Sequence, residues 1–199
     1  FILGDKMIRV CAPGKLFLSG EWAILEVGNP GIVAAVDKKV FVEVNESSDE
    51  FIHISIKDFG IEDLKAKFDG GALQFEKELD EKEKNDTLFM RAAIEAVLKY
   101  LPEAKPFEIK SWGEETAVNV GGEVKKVGFG SSAASVVATV AALLKFHGED
   151  ISSREAKDKI YKLATIAHYL AQGKVGSAFD VAASTYGGIF VYKLSLIHI

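Results

Sequence analysis

The sequence of 199 residues has one cysteine, Cys11, which excludes an internal disulfide framework and a cysteine-built zinc cluster. It lacks any apolar run near the ~18 residues a transmembrane helix needs. It also lacks a charged leader followed by an apolar stretch, so no secretion signal is read. Basic residues are in the minority, 24 Lys and Arg against 29 Asp and Glu, for a net charge of −5. No global basic field is present to hold nucleic acid. Internal repeats and low-complexity segments are missing too. What remains is ordinary globular chemistry: 48% hydrophobic and 27% charged residues, which excludes intrinsic disorder. The expectation is a cytoplasmic protein with a sizeable core and no nucleic-acid or membrane partner. The one skew is glycine, at 18 residues, and its placement carries most of the information.

Alternation with a period of two predicts strands at Val40–Val44, Ile52–Ile56 and Phe107–Ile109, after a first strand from Ile8 to Ala12. Glu76 to Lys84 is a mixed-charge stretch, read as a solvated loop or helix edge, and Asp86-Thr87 is read as the cap of the next helix. That helix carries an apolar stripe of Phe89, Ala92, Ala93, Ala96, Val97 and Tyr100, and Pro102 and Pro106 close it. Arg91, Glu95 and Lys99 lie four apart on its wet face, spaced to pair. Ser131 to Phe146 is small or aliphatic on every side, as expected of a buried central helix. Ser152 and Glu155 read as a capping box for a further helix with the stripe Ile160, Leu163, Ala164, Ala167, Leu170 and Ala171, ended by Gly173. A short helix near Asp180 to Thr185 and a strand from Ile189 follow. Strands come first and helices later, which predicts an α+β fold.

Three segments carry candidate chemistry. Gly128-Phe-Gly-Ser-Ser-Ala-Ala134 leads straight into the buried helix. Its glycines permit close approach of a ligand, its serines supply hydroxyls, and the unpaired first amides of the helix face forward, which suits a phosphate. A plain glycine turn with a serine cap explains the same letters. A dinucleotide fingerprint would need a buried apolar strand before the loop and another after the helix, and neither is present. The Walker A pattern is absent. Lys15, among apolar neighbours with Gly14 and Gly20 on either side, either snorkels to solvent or holds an anion in a cleft. Asp180, after the Gly176-Ser177 loop, is either a helix cap or a site carboxylate.

Taken together and in this order, the segments resemble the GHMP kinases, the superfamily of galactokinase, homoserine kinase and mevalonate kinase. Ala12-Pro-Gly-Lys-Leu-Phe-Leu-Ser-Gly-Glu21 is similar to the first motif and Gly128 to Ala134 to the second, the ATP phosphate loop. Gln172-Gly-Lys-Val-Gly-Ser-Ala-Phe-Asp-Val-Ala-Ala-Ser-Thr-Tyr-Gly-Gly188 is, within the family, most similar to phosphomevalonate kinase. The resemblance implies an N-terminal domain of the ribosomal-protein-S5-domain-2-like type, ATP and Mg²⁺ as cofactors, and phosphorylation of 5-phosphomevalonate to 5-diphosphomevalonate. It implies Lys15 and Asp180 as catalytic residues and Gly128, Gly130, Ser131, Ser132 and Ala133 as the phosphate-binding loop. Ser131 or Ser132 is the candidate metal ligand, and Ser19, Trp22, Lys174 and Ser177 are candidate substrate contacts. Lys174 reads equally as an exposed loop lysine.

The sequence departs from the pattern in two places. Ala164 to Ala171 has no acid where mevalonate kinases carry a magnesium-binding glutamate, and Trp22 stands where Tyr or His is usual. The expected organisation is extraneous sequence over 1–6, the N-terminal kinase domain over 7–193, and a non-family tail over 194–199 with the C-terminal domain absent. A chain so truncated is expected to turn over little substrate. Other readings are mevalonate kinase, another small-molecule kinase of the family, or a non-catalytic nucleotide-binding fragment.

Overall fold

A computed structural model describes residues 7–114, 117–120, 123–126, 130–174 and 176–194. In chain order its strands are β1 (Ile8–Ser19), β2 (Pro30–Glu46), β3 (Ile52–Ile56), β4 (Ile61–Asp69), β5 (Ala72–Phe75), β6 (Phe107–Gly113), β7 (Ala117–Val120), β8 (Glu123–Lys126) and β9 (Ile189–Lys193). The helices are α1 (Glu81–Tyr100), α2 (Ser131–Phe146), α3 (Arg154–Ala171) and α4 (Phe179–Tyr186), so the fold is α+β, as expected. Among the described residues, seven strands form one sheet in the order β1-β2-β6-β3-β4-β5, with β9 also beside β2, while β7 and β8 pair separately. β3 runs parallel to β6, and the other pairings are antiparallel.

The strand alternation places one face of the sheet in the core. Val40, Val42, Val44, Ile52, Ile54, Ile56, Phe107 and Ile109 are buried, while Glu43, His53 and Lys110 point the other way. β2 is the hinge of the sheet. Its register against β1 shifts between Pro13 (opposite Lys39) and Gly14 (opposite Val36), so two extra residues of β2 bulge there. Pro13 has no N–H to give a ladder, and a bulge bends the strand that carries it. The bent strand offers its Pro30–Ala34 end to β9 and its Val40–Glu46 end to β6.

α2 fills the middle of the helical layer, packed against β1, β2 and all three other helices. Eleven of its residues are buried, from Ala133 to Leu144, so its lack of a polar face has the reason the sequence suggested. α1 begins earlier than Asp86-Thr87 implied. The Asp80 carboxylate accepts from Glu83 N–H at 2.7 Å and the Glu83 carboxylate accepts from Asp80 N–H at 3.2 Å, a complete capping box inside the charged stretch. α3 is capped by Ser153, whose hydroxyl accepts from Ala156 N–H at 3.1 Å, while Ser152 bonds to Asp150 instead. The expected Ser152–Glu155 box is therefore not made. Leu170, assigned to the buried stripe of α3, is 52% exposed. The expected pairing of Arg91, Glu95 and Lys99 is also not seen among the described residues. Glu95 accepts from Leu73 N–H at 3.1 Å, and the Arg91 guanidinium lies 6.0 Å from the Phe75 ring centre. No helix among the described residues is long and apolar enough to cross a membrane.

Candidate active site

The first turn of α2 forms one wall of the site. Gly130 precedes it with φ 69° and ψ 44°, a left-handed conformation that suits glycine. The first helical hydrogen bond runs from Ala134 N–H to Gly130 O at 3.4 Å. The amides of Ser131, Ser132 and Ala133 lie ahead of it, and no side-chain cap is made at Gly130. Unpaired amides backed by the helix dipole attract an anion. Gly128, the first glycine of the loop, lies outside the described residues.

Lys15 projects across this turn from β1, where it stands opposite Ala35. A Cβ built on Gly130 would come within 3.0 Å of both Cγ and Cε of Lys15, so the lysine stem lies flat on the glycine. Its ammonium sits 4.9 Å from the Phe179 ring centre and 5.9 Å from that of Phe17, and the two rings are 4.4 Å apart. The cation thus rests on an aromatic pair, and among the described residues it forms no ion pair.

Asp180 comes from the first turn of α4, where the helix dipole favours a carboxylate. Its Oδ1 accepts from Val181 N–H at 2.8 Å. Its Oδ2 lies 3.7 Å from Nε2 of His168, and the same Nε2 is 3.3 Å from the Ser132 hydroxyl. His168 is 3% exposed and lies tilted beside Phe89, ring centres 5.2 Å apart. Burial pushes its imidazole below the ordinary histidine range, against the pull of the Asp180 charge. His168 sits four residues after the buried Ala164 and so on the buried side of α3, a position that periodicity alone marks. The motifs assign a role neither to His168 nor to Phe179, the ring under Lys15.

Lys15, Gly130, Ser132 and Asp180 therefore meet at one place, with Ser131 exposed at its edge. Among the described residues, the four candidate substrate contacts make no hydrogen bond or ion pair to Lys15, Ser132 or Asp180. Lys174 is exposed and follows a Schellman turn that ends α3, in which Gly173 N–H donates to Leu170 O and Lys174 N–H to Tyr169 O. The Ser177 carbonyl accepts from the Tyr192 hydroxyl. Ser19 is exposed at the end of β1, and Trp22, 82% exposed, precedes a short turn at Ala23–Leu25.

The model of the family described as GHMP kinases N terminal domain matches residues 88–188, a stretch that holds both α2 and Asp180. The chain belongs to the GHMP kinases. Its relatives in this family include phosphomevalonate kinase of Streptomyces sp. (strain CL190), 32% identical over 96% of the chain and 50% of that protein. Mevalonate kinase of Methanothermobacter thermautotrophicus is 31% identical over 89% of the chain and 48% of that protein. Among solved structures, Streptococcus pneumoniae phosphomevalonate kinase in complex with phosphomevalonate and AMPPNP aligns with a TM-score of 0.64 at 25% identity, over 89% of this chain and 47% of that one. The chain thus spans about half the length of the kinases it matches.

The site of this GHMP kinase chain fits the phosphates of a nucleotide, since it joins unpaired helix amides to a lysine that has no carboxylate partner among the described residues. For a divalent cation the fit is partial. Among the described residues no three His, Cys, Asp or Glu side chains cluster as a metal cage. Mg²⁺ commonly takes one or two carboxylates and completes its shell with phosphate oxygens and water, a role open to Asp180 beside the Ser131 or Ser132 hydroxyl.

Proposed function

We propose that this chain is the phosphate-loop half of an ATP-dependent phosphomevalonate kinase, which converts 5-phosphomevalonate to 5-diphosphomevalonate. The observation that carries the reading is the Lys15 stem packed on Gly130 at the start of α2, with Asp180 held nearby. Phosphoryl transfer asks a protein for position and charge neutralisation more than for covalent help. The α2 amides and the hydroxyls of Ser131 and Ser132 hold the donor phosphates. Lys15 supplies a compact cation where negative charge gathers in the transition state. An oxygen of the acceptor phosphate attacks the γ-phosphorus, the bond to the bridging oxygen breaks, and ADP leaves. A phosphate monoester has its second pKa near about 6, so the acceptor arrives mostly dianionic and needs no base. Asp180 then acts by orientation and charge, and with a serine hydroxyl it would hold Mg²⁺, which supplies neutralisation of the phosphate oxygens. The other reading, mevalonate as acceptor, is favoured by the similarity to a mevalonate kinase at nearly the same identity. That acceptor is an alcohol and must lose a proton, a task for Asp180.

The test is turnover of both acceptors by the full-length enzyme and by Lys15→Met, Ser131→Ala and Asp180→Asn variants. We expect preference for phosphomevalonate and losses of about 10²–10³ in kcat for the first two variants. Asp180→Asn should lose rate at every pH and keep the acid limb that belongs to the acceptor phosphate. Preference for mevalonate, or an acid limb that disappears in the Asn variant, overturns the reading.

A further inference from the structure

We propose that His168 is the positioning residue of this site: its Nε2 faces the Asp180 carboxylate and hydrogen-bonds with the Ser132 hydroxyl, so that one ring sets both groups in place. The inference rests on the reading of Asp180 as a working residue, and it adds a group that neither the motifs nor the relatives' names assign. Asp180 has two oxygens to fix. One accepts from Val181 N–H, the amide of the very next residue, which anchors the carboxylate to α4 alone. Lys15 does not fix the other, because its ammonium rests on the Phe179 and Phe17 rings. The group that faces Oδ2 at ion-pair distance is Nε2 of His168, on α3. The same nitrogen reaches Ser132, in the first turn of α2, at 3.3 Å. One ring atom therefore ties three helices at the point where the donor phosphates would lie.

The tautomer follows from the partners. A carboxylate charge 3.7 Å away favours the tautomer that carries its proton on the nitrogen facing it. The hydroxyl can turn to accept from the same N–H or to donate elsewhere. The ring is packed beside Phe89 and is 3% exposed, which disfavours the charged form. Asp180 is also felt by the Tyr192 phenol, raised above the usual tyrosine range by burial, a hydrogen bond with Tyr161 and the Asp180 charge. That phenol donates to the Ser177 carbonyl, and so is not the carboxylate's partner. A buried histidine that merely filled space beside Phe89 would have no reason to aim one nitrogen at an acid and a hydroxyl from two other helices.

The experiment has two arms on the full-length protein. In the first, long-range proton–nitrogen correlation spectra of histidine-labelled protein report the tautomer of His168. We expect the proton on Nε2 in the parent protein and a mixture of tautomers in Asp180→Ala. A proton on Nδ1, or a tautomer that ignores Asp180→Ala, overturns the proposal. In the second arm, kcat and KM are measured for His168→Phe, which keeps the bulk, and for His168→Gln, which restores an N–H donor. We expect kcat to fall about 10²-fold in His168→Phe with KM for ATP within about twofold, the loss typical of a misplaced group. His168→Gln should recover most of that loss. Equal kcat in both variants overturns the proposal. If His168→Phe does not fold, the spectral arm decides. If the parent protein phosphorylates neither acceptor while its tautomer still answers to Asp180, the function proposed above fails and the positioning role stands.

Discussion

Two residues at the site adopt the same left-handed backbone with different side chains, and they make opposite predictions. Gly130 has φ 69° with the Lys15 stem where its Cβ would be. Gly130→Ala adds both the left-handed penalty of a Cβ and a 3.0 Å contact that pushes the lysine off the turn. It should cost about 1–2 kcal/mol of stability and weaken binding of a non-hydrolysable ATP analogue. Ala178, the residue before α4, has φ 57° and carries that penalty already. Ala178→Gly should gain stability, by up to about 1 kcal/mol. Urea unfolding of the two variants checks both signs. The glycines of the phosphate loop were legible in the sequence because only their spacing matters. The strain at Ala178 was not, because a left-handed alanine leaves no trace in letters. His168 was hidden for another reason: its partners, Ser132 and Asp180, come from other helices and are adjacent only after folding.

The strands show where periodicity succeeds and where it breaks. β2, β3 and β6 were read from alternation because their cores keep a period of two. β4 was missed, and its burial pattern says why: Ile61 and Leu64 both face inward, three residues apart, across an irregular register with β3. Asp63, with φ 51°, sits at that irregularity and absorbs the odd residue. Its carboxylate has a use there. His53 on β3 lies 2.5 Å from Asp63 and 2.8 Å from Asp49. Burial works against charge on the ring, but the two carboxylates outweigh it and raise its pKa above the usual histidine value. The sign follows from linkage. A raised folded pKa stabilises fully below the unfolded value of about 6.5, and the gain disappears as pH rises through the folded pKa. The urea midpoint of the parent protein should therefore exceed that of His53→Gln at low pH and converge on it toward alkaline pH. A difference that does not change with pH would show that the imidazole between these acids carries no charge. The helix starts follow a related lesson. Asp80 and Ser153 cap where Asp86 and Ser152 were chosen, since several residues in each stretch can cap and the final choice belongs to the packed face.

At the scale of the whole molecule, the sheet has two unlike faces. Helices cover the inner one. On the outer face, register places Leu16 opposite Ala34, Ala34 opposite Ile189 and Ile32 opposite Val191. Leu16, Ile32, Ile189 and Val191 are 47%, 39%, 70% and 66% exposed. A contiguous apolar surface of this kind binds apolar dyes. Anilinonaphthalene sulfonate fluorescence with the 199-residue chain should fall in an Ile189→Lys, Val191→Lys double variant while the thermal midpoint holds, and unchanged fluorescence would show that the patch is closed. The inner face carries a different consequence. Lys15 stands on β1 opposite Ala35, and Ala35 N–H donates to the Gly188 carbonyl at 2.8 Å, just before β9. β1, which carries Lys15, and β9, which follows α4, therefore both pair with β2. On the ribosome, β1 and β2 emerge early enough to pair as a hairpin, but the Pro30–Ala34 edge waits for a strand made near the end of this sequence. Throughout that interval the nascent chain shows an open apolar edge, the kind that sticks to its neighbours, and the strand that closes it is made only after both Lys15 and Asp180 are in the chain.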